Sequence, residues 1–109
     1  PSASGEGVIG LSDEIDVPLN SVLRGWIPIA CAAVKNKSEE TIHRFATDNV
    51  PILGIYGSRD KMGEKVTKRL AKLAAAENKM IQGGHPCYLD SPEDFVQTIF
   101  SFGEERGIW

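Results

Sequence analysis

The sequence predicts an α/β fold, with parallel strands alternating with helices. Three observations carry that expectation. Strand-length stretches recur at residues 26–31, 51–56 and 78–82. Amphipathic stretches with helical spacing separate or follow them, and glycine, proline, serine or aspartate stands at the joins. Strands and helices in strict alternation place parallel strands in one sheet with helices on its faces.

Taken in order, the chain begins with Ser4 to Leu11, read as a helix although Gly5, Gly7 and Gly10 each cost ~1 kcal/mol relative to alanine. Residues 12–25 are rich in Ser, Asp, Asn, Pro and Gly and read as a mostly irregular surface excursion. Residues 26–31 (Trp-Ile-Pro-Ile-Ala-Cys) read as a buried strand with Pro28 at an unpaired position. Ser38 followed by Glu39 and Glu40 opens a helix whose apolar face is Ile42, Phe45 and Ala46. Residues 51–56 make a second buried strand that stops at Gly57. After Met62 and Gly63, Val66, Leu70, Leu73 and Ala74 form one helical stripe, with Lys65, Lys68, Arg69 and Lys72 facing away. A third strand at 78–82 ends at Gly83 and Gly84. Ser91 then caps a last helix with Pro92 at its first position, and Phe95, Val96, Ile99, Phe100 and Phe102 supply a wide apolar face.

Composition narrows the function. A net charge of −3 leaves no electrostatic footprint for nucleic acid or an anionic membrane. No apolar run approaches the ~20 residues of a membrane span. Cys31 and Cys87 lack metal-ligand spacing, and thiols in a reducing, cytoplasmic compartment are preferred over a disulfide between them. No metal or other cofactor is implied.

Three short pieces in a fixed order carry the chemistry. They are Pro-Ser-Ala-Ser-Gly at 1–5, Ile-Tyr-Gly-Ser-Arg-Asp at 55–60, and Gly-Gly-His-Pro-Cys-Tyr-Leu-Asp at 83–90. Serine, aspartate, histidine is the chain order of the α/β-hydrolase triad, in contrast to the orders of chymotrypsin and subtilisin. Such a triad needs a hydroxyl nucleophile, an imidazole to take its proton and a carboxylate to orient the imidazole. Asp60 also reads as an ordinary turn aspartate after Gly57. His43, on a helix among charged and apolar residues, reads as a bystander, and Cys87 as a packed small residue without a signal for thiolate activation. The basic stripe 65–72 reads as a solvated helix face.

The same motifs resemble the α/β-hydrolase domain-containing protein 14 group. The segments 56–63 and 84–93 are similar to that group, 1–5 resembles its Ser-Pro-Ser-x-Ser-Gly elbow, and 25–30 looks like its next strand. Residues 6–23 depart from the group's aromatic and leucine-rich stretch, so its substrate pocket does not carry over. The resemblance implies Ser2 as nucleophile, Asp60 as orienting acid, His85 as general base and the Ala3 backbone N–H as one oxyanion donor. It also hints at acyl transfer to a thiol acceptor.

A complete hydrolase sheet needs roughly twice 109 residues, since each βα unit takes ~30 or more. Residues 1–109 are therefore expected to be the C-terminal portion of a single α/β-hydrolase domain, inactive alone. Its open sheet edge is expected to be covered by the N-terminal portion or by another chain. The expected function is a serine hydrolase or acyl-transfer enzyme acting on small acyl esters, thioesters or amides. The alternative is a non-catalytic hydrolase-fold subunit of a larger assembly, because fold alone does not guarantee activity.

Overall fold

The computed structural model describes residues 2–84 and 87–108, with side chains described from residue 7 onward. Helix α1 (Ser2–Glu14) is followed by 3-10 turns at Leu19–Ser21 and Ala32–Asn36, then α2 (Glu39–Thr47), β1 (Leu53–Gly57) and α3 (Lys61–Ala74). Strand β2 (Glu77–Ile81), a short α4 (Cys87–Asp90) and α5 (Pro92–Glu105) complete the order. Strands β1 and β2 pair in parallel, with Leu53 opposite Glu77 and Gly57 opposite Ile81. The α/β expectation is met, with helices packed around a parallel two-stranded sheet.

The expected strand at 26–31 is present only as two parallel bridges to the β1 side, Trp26 to Ile52 and Ile29 to Ile55. Its ladder is nonetheless visible in four bonds. Trp26 N–H donates to the Pro51 carbonyl at 3.0 Å and Ala30 N–H to that of Ile55 at 2.9 Å. In return, Leu53 and Ile55 N–H donate to the carbonyls of Trp26 and Pro28, each at 3.0 Å. The missing rung is the one Pro28 would donate toward Leu53, and proline has no N–H. Pro28 thus leaves the rung at its nitrogen unpaired, as expected, while its carbonyl keeps its place in the ladder.

The sheet separates two apolar clusters. On one face Ile52 joins Ile9 of α1, Ile42 and Phe45 of α2, and Val66 and Leu70 of α3. On the other, Leu53, Ile55 and Ile81 pack with Cys87 and with Phe102 of α5. Burial on both faces explains why all five β1 residues are buried. Trp26 stacks on Phe45 with ring centroids 5.1 Å apart, fixing α2 against the sheet. Cys31 and Cys87 lie in separate clusters and are not joined by a disulfide.

Several elements differ from expectation for identifiable reasons. Helix α1 runs past both ends of 4–11. Its glycines are outweighed by tertiary anchoring, because Ile9 is fully buried and Ser12 Oγ donates to the Thr41 carbonyl of α2 at 2.7 Å. Ser38 caps α2 as expected, its Oγ accepting from Thr41 N–H at 3.1 Å. Ser91 occupies the cap position of α5, but its hydroxyl donates to the Gln82 carbonyl at 2.6 Å and makes no capping bond. The face of α5 is narrower than the sequence indicates: Phe102 is buried, whereas Val96 and Phe100 are exposed. Arg69 does not face solvent with the lysines. Its guanidinium donates to the carbonyls of Val34 and Lys37, at 2.5 and 2.9 Å, and closes the end of the second 3-10 turn. Among the described residues, no helix is long and apolar enough to cross a membrane.

Candidate active site

The carboxyl ends of β1 and β2 lie side by side, so the loops leaving them meet. After β1 the chain turns through Ser58 and Arg59 to Asp60; after β2 it passes through Gln82, Gly83 and Gly84 toward residue 85. Three hydrogen bonds join these loops. Ser58 N–H donates to the Ile81 carbonyl at 2.8 Å, Arg59 N–H to that of Gly83 at 2.9 Å, and Gly83 N–H to Ser58 Oγ at 3.1 Å. A Cβ on Gly57 would stand 2.1 Å from the Gly84 carbonyl oxygen, so this approach requires glycine at 57.

Asp60 sits at the head of α3 and caps it. Its Oδ1 accepts from Gly63 N–H at 2.9 Å, and its Oδ2 is buried as well. A Cβ at position 63 would meet Asp60 Oδ2 at 2.5 Å and the Ala30 Cβ at 2.8 Å. Glycine there lets the helix start close in beneath the carboxylate. Ala30, at the carboxyl end of the 26–31 segment, takes φ +47°, a left-handed conformation that alanine seldom adopts. The ends of three neighbouring parallel segments therefore gather around Asp60, where open α/β sheets bind their ligands.

Asp90, at the end of α4, reaches back into this assembly. Its Oδ2 accepts from Gly84 N–H at 2.9 Å and lies 3.4 Å from Arg59 Nη2. Gly83 adopts φ +142°, and a Cβ there would come within 2.6 Å of the Asp90 Cβ. Cys87 is buried beside these groups. Desolvation pushes its thiol above the ordinary value, with the charges of Asp60 and Asp90 adding to the effect. The thiol is held neutral, which agrees with its reading as a packing residue.

Of the residues expected to act, Asp60 is fully described, His85 lies outside the described residues, and for Ser2 only the backbone is described. Ser2 and Ala3 are the first two residues of α1. His43 is exposed, with Nδ1 2.9 Å from the Leu73 carbonyl oxygen, as befits a bystander. Ser58, Arg59 and Asp90 were not singled out by the sequence, where serine, arginine and aspartate in short loops look like ordinary turn residues. Among the described residues, no group of three or more His, Cys, Asp or Glu side chains could hold a metal ion.

No family model matches the chain. Individual proteins do. ABHD14B of Rattus norvegicus, named provisionally as a protein-lysine deacylase, is 33% identical over 88 residues, covering 78% of this chain and 40% of the relative. The Homo sapiens ABHD14B, with the same name, is 33% identical over 85 residues, or 75% of this chain and 38% of the relative. Protein ABHD14A of Homo sapiens is 29% identical over 82 residues, or 73% and 29%. The matched stretch is similar to the α/β-hydrolase domain-containing 14 proteins. The chain spans about 40% of the length of the first of these relatives. A deacylase name supports a hydrolase reading for this group.

Proposed function

We propose that this chain is the C-terminal portion of a single α/β-hydrolase domain whose full protein is a serine hydrolase or acyl-transfer enzyme. Its substrates would be small acyl esters, thioesters or amides, a class that includes the acylated lysine side chain named for the ABHD14B relatives. The observation that carries this reading is the interlock of the two loops. Ser58 and Arg59, just before Asp60, are bonded to Ile81 and Gly83, the latter lying two residues before His85, at the carboxyl ends of adjacent parallel strands. Motif order alone leaves those two side chains anywhere on the sheet; the interlock supports a shared site.

In the proposed mechanism, Ser2 Oγ attacks the acyl carbonyl while His85 takes its proton, and His85 then returns that proton to the leaving group. Asp60 holds the imidazole in the productive tautomer. The Ala3 N–H donates to the developing oxyanion, and the second donor belongs to the N-terminal portion. Among the described residues, the 26–31 segment pairs in parallel only with the β1 side. Its outer edge is proposed to be covered by that N-terminal portion or by a partner chain, which removes an aggregation-prone edge.

Fluorophosphonate labelling of the full protein tests the assignment. Ser2→Ala is expected to abolish labelling, and His85→Ala to lower kcat by on the order of 10⁴–10⁶. Asp60→Asn keeps an oxygen for the Gly63 cap, so the fold should survive while turnover falls by ~10⁴ through the wrong tautomer. Equal labelling of wild type and Ser2→Ala removes Ser2 from the mechanism. A folded protein that takes no label favours the non-catalytic subunit.

A further inference from the structure

We infer that Asp90 is a positioning residue for the histidine loop, an inference that rests on the triad reading of Asp60 and His85. One carboxylate oxygen joins both loops of the site. Asp90 Oδ2 accepts from Gly84 N–H at 2.9 Å, one residue before His85, and pairs at 3.4 Å with the guanidinium of Arg59, one residue before Asp60. Around this point the loops are already tied by the Arg59 N–H to Gly83 carbonyl bond and the Gly83 N–H to Ser58 Oγ bond. Those bonds end at Gly83. Gly84, its carbonyl already close against Gly57, links the tied strand end to the histidine, and glycine is the residue with the most backbone freedom. Asp90 removes that freedom from the far side.

Its own position is built in. Asp90 closes α4, and the next residue, Ser91, is anchored by its hydroxyl to the Gln82 carbonyl at 2.6 Å. Ser91 N–H also donates to the Cys87 carbonyl at 3.0 Å. Gly83 at φ +142° accommodates the Asp90 Cβ, where any side chain at 83 would collide with it. The segment from β2 to α5 therefore loops back and grips its own beginning.

The carboxylate is about half exposed, with 47% of the Asp90 side chain and 65% of Arg59 accessible. Exposed ion pairs contribute little to stability. A contact this weak in folding terms, placed beside a triad loop, matters through geometry: misplacement of a catalytic group by ~1 Å costs on the order of 10²-fold in rate.

The test uses the full protein and a simple acyl ester. Asp90→Ala is expected to lower kcat by about 10- to 100-fold with KM changed less than ~2-fold, because substrate binding is untouched while the general base is mispositioned. Asp90→Asn keeps an oxygen that can accept from Gly84 N–H, so it is expected to recover most of that loss. Arg59→Ala should cost ~3-fold or less, since the exposed pair is the weaker of the two contacts. The melting temperature of all three should stay within ~4 °C of wild type. Wild-type kcat in Asp90→Ala, or a loss carried entirely by KM, overturns the inference. So does an Asp90→Asn variant as slow as Asp90→Ala. His85→Ala run in parallel separates the two levels: if it is inactive while Asp90→Ala is normal, only the positioning role fails. If His85→Ala turns over normally, the triad reading fails and takes this inference with it.

Discussion

Replacing Gly57 by alanine should damage this protein far more than one added methyl ordinarily does. The new Cβ would lie 2.1 Å from the Gly84 carbonyl oxygen and 2.5 Å from that of Gly83. Both obstacles are backbone, so neither can swing away as a side chain would. Ordinary van der Waals separation begins near 3.4 Å, and the loops would have to part by more than 1 Å. Overpacking of this kind costs ~1–3 kcal/mol. The parting also strains the three inter-loop bonds of 2.8–3.1 Å, each worth ~1 kcal/mol net. A total near 3 kcal/mol follows, more than half the stability of a domain at the ~5 kcal/mol low end of the usual range. Gly84→Ala is the matched control, since its Cβ meets nothing within 4 Å among the described residues and its loss should stay within ~0.5 kcal/mol. Urea denaturation of the full protein measures both. Equal midpoints for the two variants would show that the loops do not approach this closely.

Two further outcomes follow from other contacts. Arg44 donates to the carbonyls of Ser12, Ile15 and Val17 at 2.6–2.8 Å, fastening the end of α1 to α2. Arg44→Met should cost ~2 kcal/mol by urea denaturation, and Arg44→Lys should recover less than half, because an ammonium cannot reproduce the planar fork. Burial holds the Cys87 thiol protonated in the fold, whereas the unfolded chain ionises at the ordinary value of 9.0. The unfolded state then binds fewer protons, so stability should fall as pH rises past 9, and Cys87→Ser should flatten that slope in urea titrations. Below pH 8 the same thiol should react with an aromatic disulfide reagent more slowly than a free cysteine.

Much of the fold is written locally. Ser38 with its two glutamates, the apolar run into Gly57, the stripe from Val66 to Ala74 and the Ser-Pro pair at 91–92 each state an element through short-range chemistry. What the sequence hides is long-range. Arg44 and Arg69 sit where helical spacing puts solvated charge, and only tertiary placement brings them against carbonyls at the ends of 3-10 turns and α1. The hydroxyl of Ser91 has a choice between capping its own helix and reaching Gln82, and the strand-end geometry makes that choice. Pro28 marks an unpaired rung as the sequence indicates, but only the structure shows the flanking rungs that carry the ladder past it. The spread of α5's apolar residues likewise exceeds what this sheet can cover, leaving Val96 and Phe100 exposed.

The candidate site shows the same division at a single residue. Asp60 follows a buried strand and precedes a helix, so a cap and a triad acid make the same demand on the sequence. The proposed triad role assigns the two demands to different atoms. Oδ1 is committed to Gly63 N–H, which fixes the carboxylate plane at the head of α3. Oδ2, buried beneath the ends of three parallel segments, is the atom whose surroundings exceed what capping requires. An isolated cap needs no glycine at 57, no left-handed Ala30 and no second loop bonded to its own. Those features cost backbone freedom and stability, and they converge on the carboxylate. A carboxylate held in one orientation is what a triad acid must be, because its task is to hold an imidazole rather than to move a proton itself.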